Sequence, residues 1–188
     1  MQKQNFIRPG IFFTAVVAVL IIGLLLWQHF HGGVPSHHIL NEKNLPKISN
    51  WWGGLLLPVL TGFLVYRIES RIIKQEALTQ QPKNQNIKIA GLFFLGLFFG
   101  IVLAVSFVND YTIFLDNVIY ILIILAFLVP IFNSEFILGF ILGMTYTFGA
   151  LLPTVFILVI AAFGFLIYRF IRPLFLRLIK IGEKKAVR

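Results

Sequence analysis

The sequence predicts an all-α integral membrane protein: a six-transmembrane-helix bundle with N-terminus and C-terminus cytoplasmic. Three observations predict it. The 188-residue chain is 59% hydrophobic and 12% charged, whereas a soluble domain holds about 45–50% apolar and about 25% charged residues. Too little polar surface remains to cover a water-facing molecule, so lipid is the expected solvent. Six apolar runs follow one another at or close to the roughly 17–25 residues that cross a bilayer. The Lys and Arg residues fall on alternate connections between those runs.

The first span covers residues 11–30. Lys3 and Arg8 precede it as they would in a signal peptide. The run is longer than the roughly 7–15 residues of a signal-peptide core, and no small-x-small cleavage site follows, so it is expected to be retained. Pro9 and Gly10 are expected to break the chain just ahead of it. The second span, 49–66, has Ser49 or Asn50 as its N-cap and Trp51 and Trp52 at the lipid–water boundary. Pro58 predicts a kink inside it. Beyond it, Ile68, Ile72 and Ile73 recur at helical spacing among basic residues, which predicts a helix continuing along the membrane surface. The basic loop 67–88 contains a polar turn at Pro82.

The third span, 89–108, ends at Asn109-Asp110. The fourth, 117–132, is short unless Tyr111–Leu115 joins it. Asn133, Ser134 and Glu135 then interrupt the apolar sequence, with Asn133 or Ser134 as a cap and Glu135 favourable in the first helical turn. The fifth and sixth spans are 136–152 and 154–171, with Gly149 and Pro153 marking the turn. A single rod over the same stretch would measure about 52 Å, against a hydrocarbon core of roughly 30 Å. The tail, 172–188, is basic.

Charge fixes the expected sidedness. With six spans, fourteen of the sixteen Lys and Arg residues share one side, and only Lys43 and Lys47 lie on the other. The positive-inside rule makes the first side cytoplasmic, in the cell (inner) membrane. Five spans would place the basic tail outside. The same basic segments predict contact with membrane lipids, and with anionic lipid headgroups at the cytoplasmic face in particular. The net charge of +9 is therefore read as topology rather than as a nucleic-acid footprint.

Several function classes are disfavoured. There is no cysteine, hence no disulfide, thiolate metal site or thiol nucleophile. Neither G-x-x-x-x-G-K-[ST] nor G-x-G-x-x-G occurs, which argues against nucleotide-driven chemistry within this chain. No charged residue lies in the middle of a span, which counts against a proton-coupled pump.

Polar chemistry concentrates in the His-rich outer loop, 31–48, and at its edges. His29, His31, His37 and His38 fall within ten positions. Imidazole is the commonest metal ligand, so these four are the candidate ligands of a divalent metal ion, with Glu42, Asp110 or Asp116 available to complete the set. The spacing is imperfect: on a helix, His29 and His31 would point about 200° apart. They could share a metal only if Gly32-Gly33 and Pro35 make the chain extended. An acid–base site would instead centre on His37 and His38, with Asp110 and Asp116 as carboxylate partners and catalytic residues. Asn50, Trp51, Trp52 and Tyr146 are the candidate substrate-binding residues, the last within a polar Thr145-Tyr146-Thr147 group. The plain alternatives are interfacial histidines with wet tips, Trp belt anchors and Asp helix caps.

The expected function is a small membrane enzyme acting on a lipid or amphiphile at the outer lipid–water boundary, in a metal-assisted or a metal-free form. A small-solute transporter or channel is the main rival. It draws on Pro58 and on the likeness of GGLLLPVLTGF (53–63) to GALLPTVF (149–156), which would relate two three-span halves by inverted topology. An assembly or scaffold subunit is the third. The sequence does not decide between enzyme and non-enzyme.

Overall fold

The computed structural model describes residues 2–34, 36–38, 47–78 and 85–177. Residues 39–46, Glu42 among them, residues 79–84, Pro82 among them, and residues 178–188 lie outside the described residues, as do the side chains of His37 and His38.

Among the described residues, six helices form the bundle: α1 (Gln2–Phe30), α2 (Trp51–Leu78), α3 (Gln85–Val108), α4 (Thr112–Leu128), α5 (Ser134–Phe148) and α6 (Leu151–Leu166). A π turn, Ile167–Ile171, continues α6 toward Arg177. Between α1 and α2, the short strands β1 (Ser36–His38) and β2 (Lys47–Ser49) pair antiparallel, with Ser36 opposite Ser49 and His38 opposite Lys47. Among the described residues, four helical stretches are long and apolar enough to cross a membrane: Pro9–Phe30, Trp51–Ala77, Gln85–Val108 and Leu151–Arg177. α4 and α5 have 17 and 15 residues, which is about 26 and 23 Å of helix.

The helices alternate in direction. α1 and α2 run antiparallel: Gly10 packs on Val65 and Glu69, Thr14 on Gly62, and Leu25 on Gly54. α1 starts earlier than the sequence suggested, because Pro9 sits inside the helix rather than ahead of it. Its missing N–H removes one helical bond, to the carbonyl of Asn5, past the first turn where proline is free of that cost.

α5 and α6 also form a hairpin. Phe140 stacks on Phe156 at 5.9 Å, and Phe132, just before α5, meets Phe165 near the end of α6 at 5.4 Å. Gly149 makes the reversal with φ 70, a conformation that favours glycine. The single kinked rod is thereby excluded.

α3 and α5 run parallel and make the closest packing in the molecule. Gly96 and Gly100 of α3 face Gly139 and Gly143 of α5, and a Cβ at any of the four would fall within 3.0 Å of the other helix's backbone. Two small-xxx-small pairs let the backbones touch, as in lipid-embedded helix pairs. α5 is consequently buried on nearly all sides from Ser134 to Ile141. α2, α3 and α6 pack around it, and the bundle turns large apolar side chains such as Phe12, Phe98 and Ile113 outward.

This alternation gives the bundle two different ends. One carries the β-hairpin, the α3–α4 turn and the α5–α6 turn. The other carries the start of α1, the last turns of α2, the α4–α5 connection and the end of α6.

Candidate functional site

At the hairpin end, the structure gathers some of the residues singled out above and leaves others apart. Ser49 Oγ accepts a 3.4 Å hydrogen bond from the Trp51 N–H, so Ser49 helps cap α2. The Asn50 side chain packs on Gly149. Trp51 meets the His29 ring edge-to-face at 6.0 Å. His31 stacks on Trp27 at 4.8 Å, and its Nδ1 lies 2.9 Å from the Trp27 carbonyl oxygen. These contacts are those of exposed aromatic groups at a helix end.

His37 and His38 follow one another on β1 beside Ile48 and Lys47. Asp110 takes a left-handed backbone, φ 53, in the α3–α4 turn, a conformation Asp tolerates. Asp116 lies exposed on α4, and Trp52 is exposed at the start of α2. Among the described residues, no three His, Asp or Glu side chains come together as a metal site requires. Nor does a described contact join Asp110 or Asp116 to a histidine.

Tyr146 sits elsewhere, 66% exposed, on the rim of an apolar groove of ≈ 360 Å³ between α1, α3 and α5. Its neighbour Thr145 turns its hydroxyl back to the Ile141 carbonyl at 2.7 Å. Thr145 therefore satisfies itself within α5 instead of bonding across helices.

The opposite end holds an arrangement that was not singled out from the sequence. Arg67, Ser70, Arg71 and Lys74 occupy one face of α2, spaced three and four apart. They line a cavity of ≈ 620 Å³ whose other wall is Asn133 and Ser134 at the start of α5, closed by Tyr66, Phe132 and Phe165. Behind it, the Arg71 Nη2 donates to both Glu135 carboxylate oxygens, at 2.6 and 2.7 Å. Glu135 is 2% exposed and the Arg71 side chain 33%. The Glu135 carboxylate thus spans from α5 to α2 as well as sitting in a first helical turn. Asn133, the N-cap of α5, makes no side-chain capping bond, so the first N–H groups of that helix receive none from it.

A signal for this site was present in the sequence: a basic, hydroxyl-bearing face at positions i, i+3, i+4 and i+7. Its partner, Glu135, lies 64 positions away, and no local pattern reports that pairing.

No protein-family model, no curated protein and no solved structure matches this chain.

Proposed function

We propose that the chain is a multi-pass protein of the cell membrane, with six crossings and both termini cytoplasmic, that binds an anionic amphiphile at its cytoplasmic end. The cavity between α2 and the start of α5 carries this reading. It pairs three cationic side chains with three aromatic ones, the combination a lipid with a charged head and an apolar body would meet. Its volume, ≈ 620 Å³, falls within the roughly 300–1,000 Å³ range of ligand pockets. Ordinary topogenic Lys and Arg residues extend freely into water; here Arg71 is held by a buried carboxylate, and hydroxyl and amide groups share the wall.

Support for the membrane setting comes from the four long apolar helices and the outward-facing Phe, Ile and Leu side chains. The short α4 and α5 would be accommodated by a locally thinner bilayer or by burial among longer neighbours. Support for the sidedness comes from the gathering of Arg67, Arg71, Lys74, Lys88, Arg169, Arg172 and Arg177 at helix ends on one side.

The test is lipid analysis of detergent-purified protein beside the Arg67→Gln/Lys74→Gln variant. Both side chains are exposed, so the variant is expected to fold. The wild type should retain anionic lipid through purification and the variant should lose most of it. Equal lipid content in the two samples would remove the cavity from the function.

A second reading keeps the outer end: an enzyme acting on a lipid or amphiphile, with His37 and His38 at its centre. The pairing of β1 with β2, whose chain runs on into Asn50 and Trp51 at the start of α2, favours it. Metal analysis of the wild type and the His37→Ala/His38→Ala variant tests its metal-assisted form. About one equivalent of metal, lost in the variant, is the expected result for a metal site.

A further inference from the structure

The cavity at the end of α2 has a charge and a donor set that select among anions. Three cations, Arg67, Arg71 and Lys74, line it. One carboxylate, Glu135, is bonded to Arg71. Three cations less one carboxylate leave a net charge of two. Glu135 engages Arg71 through Nη2 alone, so the other two guanidinium nitrogens are not used by that pair. Ser70 and Ser134, which carry hydroxyls, and Asn133, which carries an amide, line the same walls. Ser134 is nine-tenths buried, so a group reaching it must enter the cavity rather than rest on the rim.

We infer that this cavity binds the phosphomonoester headgroup of a lipid, with the phosphate between Arg67, Arg71, Lys74 and Ser134 and the apolar body beside Tyr66, Phe132 and Phe165. This deepens, and rests on, the proposal that the cavity binds an anionic amphiphile. A phosphomonoester carries about −1.5 to −2 charge and three strong acceptor oxygens. It therefore matches two net positive charges and a wall of N–H and O–H donors. A phosphodiester presents a single charge and two free oxygens, and leaves one cation of the site unmatched. Arginine is suited to this anion because its planar fork meets phosphate oxygens two at a time. The aromatic wall distinguishes a lipid from free phosphate, which would gain nothing from Phe132 and Phe165.

The experiment is a binding titration on the purified full chain by native mass spectrometry. The probes are short-chain phosphatidate (monoester), phosphatidylglycerol (diester) and phosphatidylcholine (zwitterion), with inorganic phosphate as the soluble competitor. Phosphatidate is expected to bind about tenfold more tightly than phosphatidylglycerol, the gain of one extra charge matched in a partly exposed site. Phosphatidylcholine should bind weakest. Arg67→Gln/Lys74→Gln should abolish the preference between the two anionic lipids. Inorganic phosphate at the same concentration should not displace phosphatidate.

Equal binding of phosphatidate and phosphatidylglycerol would overturn the monoester assignment and leave the amphiphile proposal standing. Displacement of phosphatidate by equimolar phosphate would overturn the lipid as the source of the anion. Absence of any preference for anionic over zwitterionic lipid would overturn both proposals.

Discussion

Arg71 and Glu135 stand in unequal surroundings, and the two halves of their ion pair should respond differently to removal. Arg71→Gln strands a carboxylate that is 2% exposed. Breaking a buried pair from that side costs about 3–5 kcal/mol. Glu135→Gln strands a guanidinium that already borders a cavity and keeps an amide oxygen to accept from it, so about 1 kcal/mol is expected. Thermal melting in detergent should therefore rank Arg71→Gln well below Glu135→Gln; the reverse order would show that the pair is not buried from the Glu135 side. Glycine gives a second contrast at this scale. A methyl group at Gly100 would press on the Phe140 backbone, whereas one at Gly23 would meet nothing within 4 Å. Gly100→Ala should destabilise by about 1–3 kcal/mol, and Gly23→Ala should be neutral or stabilise by about 0.5–1 kcal/mol. Residue identity was legible for the basic face of α2, because helical spacing alone aligns Arg67, Ser70, Arg71 and Lys74. The carboxylate that turns this face into a site was legible only as a first-turn residue, since Glu135 meets Arg71 through tertiary packing.

Among the elements, the six helices were readable from hydropathy and the α5–α6 reversal from length, because a rod of both would overrun the bilayer. Which helix lies at the centre was not readable. A helix apolar on all sides reads the same whether its neighbours are lipid or protein, so hydropathy alone does not tell α5 from α4. The Gly96/Gly100 and Gly139/Gly143 spacings were the available sign that α3 and α5 meet. The start of α1 was misplaced because Pro9 and Gly10 read as a break, although Gly10 is where α1 approaches Glu69. The antiparallel α1–α2 pair can be checked directly, because the chain has no cysteine. Thr14 Cγ2 lies 3.6 Å from where a Gly62 Cβ would stand, so the two positions face each other across the pair. Thr14→Cys/Gly62→Cys should cross-link under mild oxidation, while Thr14→Cys/Gly54→Cys should not.

For the whole molecule, two ends of different chemistry follow from six alternating helices. The hairpin end bears the histidines that dominated the sequence, and its described side chains there make aromatic and capping contacts. The opposite end bears the basic cavity beside α2 and the start of α5. Single-cysteine labelling in intact cells tests the proposed sidedness: Asn109→Cys should react with an impermeant thiol reagent, and Lys88→Cys only after permeabilisation. The central claim, an anionic amphiphile seated between α2 and the start of α5, is most directly tested by photo-crosslinking. A phosphatidate analogue with its reactive group beside the phosphate would be incorporated into the protein and the labelled peptides mapped. Labels concentrated on residues 66–74 and 132–134 are the expected result. Labels spread evenly over every basic helix end, or found at the hairpin end, would contradict it.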